Sequence, residues 1–428
     1  MSEICLLNDS FPPVIDGVAN AVTNYARVLN NSDWDVSVVT PDCPGSDDSA
    51  FPYPVIRYPS IDLRESLGYT AGNPFSIKIQ QELAKHDIAL LHSHCPIMSN
   101  ILARQIRDRF NVPMVMTYHT KFDIDIANAV SSKVLQEGAI KALVANVSAC
   151  DELWVVSRGA GENIKSLGYE GEYIVMENGV DMPKHQVSDA KIIEATSEYD
   201  LPDGLPVFLF VGRLMWYKGI RIILDALAAL KSQDLNFRMV FVGGGMDADE
   251  IHAYTEELQL GDKCIFTGPL HDREMLAAWY CRADLLLFPS TFDTNGLVVR
   301  EAAACSLASV LVKGSCAAEG VTDRQNALLI DENAASLAVC LARLMENREY
   351  LHSLGSAAAD DLYISWDTAV DRAMDRYNVV IDNYKSGVYE KHRNFADDLF
   401  TLQAELLNAY DKIDQRRKNI ADFFDINL

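Results

Sequence analysis

Short apolar runs alternate with longer segments in which apolar positions recur at helical spacing along most of this 428-residue chain. The runs are bounded by Gly, Pro, Asn or Asp, which is typical of buried strands. In the amino half they cover residues 4–7, 36–39, 90–92, 114–118, 153–156 and 174–176. In the carboxyl half they cover residues 207–211, 239–242, 264–267, 285–288, 309–312 and 328–330. This alternation predicts an α/β fold with parallel sheets that carry helices on both faces.

The length favours two domains, since a single hydrophobic core rarely serves so long a chain. We expect a Rossmann-like domain over 1–180, a linker rich in Asp, Ser, Pro and Gly over 181–206, and a second Rossmann-like domain over 207–365. A long helix follows at 366–386. The last segment, 387–428, is predicted to be a helical extension with apolar residues at a and d spacing.

The net charge of the chain limits the classes of partner that it is expected to bind. The formal net charge is −24, and residues 1–180 contain 13 Lys and Arg against 22 Asp and Glu, which argues against nucleic acid as a partner. The basic cluster Arg104, Arg107 and Arg109 is interpreted as a solvated helix face. No apolar stretch is long enough to span a bilayer and no signal segment opens the chain, so we expect a cytoplasmic protein. The nine cysteines are dispersed, which predicts neither disulfides nor a zinc site.

Two carboxylates stand eight positions apart near one predicted strand end. Asp293 follows the strand at 285–288, and Glu301 lies inside the next helix. Because ligands of open α/β sheets bind outside the carboxyl ends of the strands, both acids are expected to line one crevice. Asp293 has an alternative role as the N-cap of that helix.

A second constellation follows the strand at 207–211. It ends in Gly212 and Arg213 and continues to Lys218 at the start of a helix. Two cations together with free backbone N–H groups at a helix start can hold a diphosphate, with Arg as a planar fork and Lys as a point charge. The three glycines at 243–245 lack the spacing of a phosphate loop and are interpreted as a tight turn from strand to helix.

These motifs, in this order, resemble family 4 retaining glycosyltransferases of the GT-B fold. The resemblance covers the chain to about residue 386 and rests on Gly-Arg-Leu-x-x-x-Lys-Gly, Phe-Thr-Gly-Pro-Leu, Trp-Tyr-x-x-Ala-Asp and Asn-Gly-Leu-Val-x-x-Glu-Ala. It implies two Rossmann-like domains whose sheets face a central cleft, and a helix at 366–386 that returns to the first domain. One departure is that Asp293 stands where the family usually has Glu.

The resemblance also implies roles for individual residues. Arg213 and Lys218 would bind the donor diphosphate, Glu301 the ribose hydroxyls and Asp293 the sugar hydroxyls. The expected catalytic residues are His119, Arg213, Lys218, Asp293 and Glu301. The expected donor-binding residues are Gly17, Gly212, Arg213, Lys218, Pro269, Leu270, Asp293, Thr294, Asn295, Gly296, Leu297 and Glu301.

Gly17 and His119 belong to the amino half. Gly17 opens the first helix, where backbone N–H groups could approach a phosphate. His119 follows the strand at 114–118, and the family resemblance implies that it contacts the donor sugar. The pair His92 and His94 has metal-like spacing but no third ligand nearby. The pair Asp123 and Asp125 lies outside the donor half, where Arg213 and Lys218 already cover the diphosphate, so we expect no metal and no resident cofactor.

The resemblance implies transfer of a hexosyl group, glucose above all, from a UDP-linked donor to a lipid or other hydroxyl acceptor with retention. Members that glucosylate diacylglycerol are the most similar, although the acidic first domain counts against a membrane acceptor. A soluble glycan acceptor, peripheral contact with the inner membrane face and a homodimer through 387–428 stay open. The alternatives are a sugar-nucleotide epimerase on the same fold and a non-catalytic sugar-binding protein.

Overall fold

The computed structural model describes residues 2–14, 16–63, 69–129, 132–184, 187–202, 204–344 and 347–389. The described chain divides into two compact units. Unit 1 contains Met1–Val156, Ala160–Met176 and the chain from Val370 onward, and unit 2 contains Ser157–Gly159 and Glu177–Ala369. The predicted helical extension lies outside the described residues beyond Tyr389.

Unit 1 is built on a seven-stranded sheet in which every pairing is parallel. Its strands are β1 Glu3–Leu7, β2 Asp35–Pro41, β3 Val55–Tyr58, β6 Ile88–Ser93, β7 Met114–Tyr118, β8 Glu152–Val155 and β9 Tyr173–Val175, in the order β3-β2-β1-β6-β7-β8-β9. A separate antiparallel hairpin pairs β4 Ser60–Leu63 with β5 Tyr69–Gly72. The helices are α1 Gly17–Asn30, α2 Ile77–Leu83, α3 Met98–Phe110, α4 Phe122–Ala129, α5 Lys133–Val147 and α6 Arg158–Ser166.

Unit 2 contains a six-stranded sheet that is also parallel throughout. Its strands are β10 Val207–Val211, β11 Arg238–Val242, β12 Cys264–Gly268, β13 Leu285–Phe288, β14 Ser309–Val312 and β15 Leu328–Ile330, in the order β12-β11-β10-β13-β14-β15. The helices are α7 Asp189–Thr196, α8 Ile220–Lys231, α9 Ala248–Glu257, α10 Arg273–Arg282, α11 Leu297–Ala304, α12 Ala334–Leu344, α13 Arg348–Asp361 and α14 Trp366–Lys385, the last of which belongs to unit 1 from Val370.

The apolar runs predicted the sheets well because parallel strands are buried on both faces. Every residue of β1, β7 and β10 is buried, so these strands appear in the sequence as continuous apolar segments. All twelve predicted strands are confirmed, and the helix predicted at 366–386 is confirmed as α14. Each unit is therefore a Rossmann-like α/β half.

The arginine cluster on α3 differs from the prediction of a solvated face. Arg104 and Arg109 are only 4% and 6% exposed. The Arg104 guanidinium donates to Asn146 Oδ1 at 2.9 Å, and Arg109 donates to the backbone carbonyl of Gln80 at 2.5 Å. These arginines join α3 to neighbouring segments of unit 1, a role that the charge pattern did not reveal.

The order of strands places the candidate site in unit 2. β10 lies between β11 and β13, so the chain leaves β10 toward one side of the sheet and β13 continues the other side. In such sheets this switch point leaves a crevice at the carboxyl ends of the two strands. Gly212 follows β10 and Asp293 lies shortly after β13, so both stand at this edge.

Candidate active site

The loop after β10 is held by backbone contacts to the three-glycine turn after β11. Gly212 N donates to Val242 O at 3.0 Å, and Leu214 N donates to Gly244 O at 3.0 Å. A Cβ atom built on Gly243 would lie 2.0 Å from Gly212 O, so the two backbone segments approach more closely than a side chain would allow. The interpretation of 243–245 as a tight turn into α9 is confirmed, and this turn fixes the segment that carries Arg213.

Lys218 and Asp293 form an ion pair although they are far apart in sequence. Lys218 Nζ lies 2.8 Å from Asp293 Oδ2, and the two side chains are 12% and 21% exposed. Burial raises the pKa of Asp293, but the nearby ammonium and two backbone N–H groups outweigh it and hold that pKa below its usual value. Asp293 is therefore an ionised carboxylate at neutral pH, next to a cation at the carboxyl edge of the sheet.

The second oxygen of Asp293 orders the turn into α11. Asp293 Oδ1 accepts from Asn295 N at 3.2 Å and from Gly296 N at 2.8 Å. The N-cap of α11 is Gly296, which has a φ of 61°, so the N-cap role considered for Asp293 is wrong. Asp293 instead closes the turn that precedes the helix. Among the described residues, neither polar atom of the buried Asn295 side chain has a hydrogen-bond partner.

Glu301 is held by two residues that the sequence analysis did not assign to the site. Arg273 Nη1 lies 3.0 Å from Glu301 Oε1, and the Tyr280 hydroxyl donates to Oε2 at 2.9 Å. Burial raises the pKa of Glu301 above its usual value, although Arg273 and Tyr280 both act in the opposite direction. Tyr280 lies in the Trp-Tyr-x-x-Ala-Asp motif, which was the available signal, whereas nothing in the pattern marked Arg273.

The other residues of unit 2 that were predicted to bind the nucleotide-sugar donor differ in their solvent exposure. Arg213 is exposed, and within the described part of the chain its guanidinium makes no hydrogen bond or ion pair. Pro269 is exposed, and Leu270 is half-buried in the loop after β12. Thr294 and Leu297 are half-buried on either side of Gly296. The structure thus joins Lys218, Asp293, Asn295 and Gly296 directly and places Glu301 one helix turn further along.

In unit 1, Gly17 and His119 follow two strands of one sheet. Gly17 is the first residue of α1, but the side chain of Asp16 already caps this helix by accepting from Val18 N at 2.8 Å and Ala19 N at 2.7 Å. A phosphate at this helix terminus would compete with that carboxylate. Whether Gly17 approaches a phosphate therefore stays a prediction.

His119 is buried next to two other histidines. Its Nε2 atom lies 3.0 Å from His94 Nδ1, and the His94 and His92 rings have centroids 4.0 Å apart. Burial lowers the pKa of His119 to about 3 and lowers those of His92 and His94 well below their usual value. All three rings are consequently neutral at physiological pH.

No group of three or more His, Cys, Asp or Glu residues within the described ranges is arranged to hold a metal ion. His92, which was weighed as a ligand, instead contacts the Thr117 hydroxyl at 2.7 Å and the Tyr377 hydroxyl at 2.5 Å. In the same part of the chain, no helix is both long and apolar enough to cross a membrane.

Comparisons with known proteins agree with this architecture. Residues 15–183 match the model of Glycosyltransferase Family 4, and residues 192–361 match that of Glycosyl transferases group 1. The chain is 22% identical to the alpha-monoglucosyldiacylglycerol synthase of Acholeplasma laidlawii over 83% of this chain and 91% of that protein. It is 28% identical to the D-inositol 3-phosphate glycosyltransferase of Streptomyces bingchenggensis over 69% of this chain and 68% of that protein.

Solved structures show the same fold. A sucrose-phosphate synthase from Thermosynechococcus elongatus superposes with a TM-score of 0.72 at 22% identity, over 89% of this chain and all of that one. Anabaena HepE in complex with UDP-glucose superposes with a TM-score of 0.69 at 19% identity, again over 89% of this chain and all of that one. With its family 4 amino half, its group 1 carboxyl half and two Rossmann-like units, this chain belongs to the GT-B glycosyltransferases.

Proposed function

We propose that this protein is a metal-independent retaining glycosyltransferase that transfers glucose from UDP-glucose to the hydroxyl group of a lipid acceptor. The observation that carries the proposal is the partly buried Lys218–Asp293 ion pair at the switch point of the unit 2 sheet. In this proposal the cation would bind phosphate, and the adjacent carboxylate would accept hydrogen bonds from sugar hydroxyls.

The donor would be held by groups of opposite charge. Arg213 and Lys218 would bind the diphosphate and stabilise the negative charge that develops on it as it leaves. Asp293 would accept from hydroxyls of the sugar. Glu301 would accept from the ribose hydroxyls, since each carboxylate oxygen retains acceptor capacity beside Arg273 and Tyr280.

The reaction itself needs no residue that forms a covalent intermediate. The bond between the anomeric carbon and the diphosphate oxygen breaks, and the acceptor oxygen forms the new bond on the same face. The acceptor proton passes to the departing phosphate oxygen, so nucleoside diphosphate and glycoside are the only products.

The lipid acceptor is supported by relatives and by exposed apolar side chains. Relatives from Streptococcus pneumoniae and Acholeplasma laidlawii are named alpha-monoglucosyldiacylglycerol synthases. In unit 1, Phe75 and Ile77 are 53% and 56% exposed near the start of α2, and Val134 and Leu135 are 78% and 65% exposed at the start of α5. Contact with a lipid phase would remove these side chains from water.

The test is release of nucleoside diphosphate from a panel of UDP-, GDP- and ADP-sugars, with and without diacylglycerol vesicles. We expect UDP release from UDP-glucose that increases with the vesicles. Arg213→Ala and Lys218→Ala should each lower the rate by about 10²–10³, whereas Arg343→Ala, at an exposed position on α12, should not change it. No release from any donor, or wild-type activity of Arg213→Ala, would overturn the proposal.

A further inference from the structure

His94 stands between the predicted sugar-contacting residue and the interior of unit 1. It is 1% exposed, and its Nδ1 atom lies 3.0 Å from His119 Nε2, with the two rings stacked at a centroid distance of 5.3 Å. Tyr25 packs edge-on against His94 with a centroid distance of 5.1 Å, and His92 covers another side at 4.0 Å. Packing on several sides leaves the His94 ring little freedom to rotate.

The hydrogen bond between the two rings can have either of two directions, and the surroundings of His94 Nε2 distinguish them. A neutral imidazole carries one N–H and one lone pair, so either His94 Nδ1–H donates to His119 Nε2 or His119 Nε2–H donates to His94 Nδ1. In the second arrangement the His94 proton would reside on Nε2. That atom is buried and has no hydrogen-bond partner among the described residues.

A buried N–H without an acceptor is uncommon in folded proteins, because its desolvation costs free energy with no compensating hydrogen bond. The first arrangement avoids it, because His94 then carries its proton on Nδ1 and uses it in the bond to His119. His119 Nε2 accepts this hydrogen bond with its lone pair and carries no proton. The single ring proton of neutral His119 must therefore be on Nδ1.

We propose that His94 is a positioning residue that fixes His119 in the Nδ1-protonated tautomer, so that His119 meets the substrate as a hydrogen-bond donor and not as a base. Whatever His119 Nδ1 contacts, it contacts through an N–H group. The matching group on the substrate is an oxygen lone pair, such as that of a donor-sugar hydroxyl or a phosphate. The part of this inference that concerns the substrate rests on the proposed function, whereas the tautomer does not.

The tautomer is tested directly by ¹⁵N NMR of the full chain with labelled histidines, since protonated and unprotonated ring nitrogens have well-separated chemical shifts. The chain has nine histidines, and His119→Gln identifies the His119 signals by their loss. The low pKa of His119 keeps the ring neutral at pH 7, so the spectrum reports the tautomer and not the charge. We expect a protonated Nδ1 and an unprotonated Nε2 on His119. A protonated Nε2 there would overturn the proposal.

Two amide substitutions separate positioning from packing. The amide of Asn can occupy the place of His94 Nδ1, whereas the amide of Gln reaches toward the place of Nε2 and leaves His119 without its partner. His94→Asn should keep the His119 tautomer and a kcat within about twofold of wild type, and His94→Gln should yield mixed tautomers and a kcat about tenfold lower. His352→Gln, at an exposed histidine on α13, should match wild type in both measurements.

The two readouts also separate this proposal from the proposed function. If wild-type protein turns over no nucleotide sugar, the proposed function fails, and the NMR spectrum still decides the tautomer. If wild-type protein is active and His94→Gln retains a pure Nδ1-protonated His119 at full rate, the positioning role is wrong while the proposed function stands.

Discussion

Folding shifts the pKa values of the two acidic side chains of the candidate site in opposite directions. We therefore expect the variants Asp293→Asn and Glu301→Gln to have opposite effects on stability. The pKa of Asp293 is lowered in the folded protein, so its carboxylate stabilises the fold at every pH above the ordinary Asp value of 3.8. The pKa of Glu301 is raised, so ionising it opposes folding once the pH exceeds the ordinary Glu value of 4.5.

Urea unfolding from about pH 8 to about pH 4.5 measures both effects. Asp293→Asn should lower the free energy of unfolding by roughly 1–3 kcal/mol throughout, because Lys218 loses a partly buried charged partner and the Asp pKa lies below this range. Glu301→Gln should raise the free energy of unfolding at neutral pH, and the gain should vanish as the pH falls toward 4.5. A loss of stability in Glu301→Gln at pH 7 would show that Arg273 and Tyr280 outweigh burial. Both variants should turn over donor more slowly.

At the scale of elements, the contact between the loop after β10 and the three-glycine turn makes a second prediction. Gly243 has a φ of 141°, and an added Cβ would meet the Gly212 carbonyl oxygen at 2.0 Å. Gly243→Ala should therefore lower the free energy of unfolding by about 3 kcal/mol or more, since backbone atoms must move apart. It should also weaken UDP binding, because that loop carries Arg213.

Gly268→Ala provides a matched control for Gly243→Ala in the same sheet. Gly268 also has a positive φ, 74°, but nothing lies within 4 Å of its added Cβ. Only backbone strain of about 1 kcal/mol is expected there. Equal losses of stability in the two variants, measured by urea unfolding, would mean that the close approach of the two loops is unimportant.

The elements that the sequence revealed are those whose local pattern matches their burial. Buried parallel strands appear as apolar runs, and the twelve predicted strands follow from that alone. The edge strand Val55–Tyr58 was not predicted, because it is short, mostly half-buried and flanked by Pro54 and Pro59. The hairpin β4–β5 was missed as well, since its strands lack a continuous apolar run.

The candidate site shows the same division between local and long-range information. Motif order indicated Lys218, Asp293 and Glu301 individually, but only the fold could show that Lys218 pairs with Asp293 across 75 positions. The partnership of Glu301 with Arg273 and Tyr280 likewise depends on how α10 packs near α11. The Asp16 cap on α1, by contrast, was readable locally, since Asp before a helix start is a favoured N-cap.

For the whole molecule, the return of the chain to unit 1 after Ala369 predicts that the two units differ in their ability to fold as fragments. The Tyr377 ring stacks on Trp154 with a centroid distance of 5.3 Å, and its hydroxyl contacts His92. Arg376 donates twice to the buried Glu152 carboxylate, at 3.0 and 2.6 Å. Burial raises the pKa of Glu152, but Arg376, Trp154 and Tyr389 outweigh it and hold the pKa below its usual value.

A fragment of residues 1–176 lacks these partners. It would expose the Trp154 ring and leave the Glu152 charge with less compensation, and leaving a buried polar group without its partner typically costs about 1–3 kcal/mol. We therefore expect this fragment to unfold without a cooperative urea transition. Joining residues 370–428 to it through a flexible linker should restore the transition, because this returns both the Tyr377 ring and the Arg376 guanidinium.

Residues 177–369 contain the whole six-stranded sheet with its own core and should unfold cooperatively alone. If the 1–176 fragment unfolded cooperatively and were as stable as the fragment joined to residues 370–428, α14 would contribute nothing to the core of unit 1. The Tyr377–Trp154 stacking and the Arg376–Glu152 ion pair would then be unimportant for the stability of unit 1.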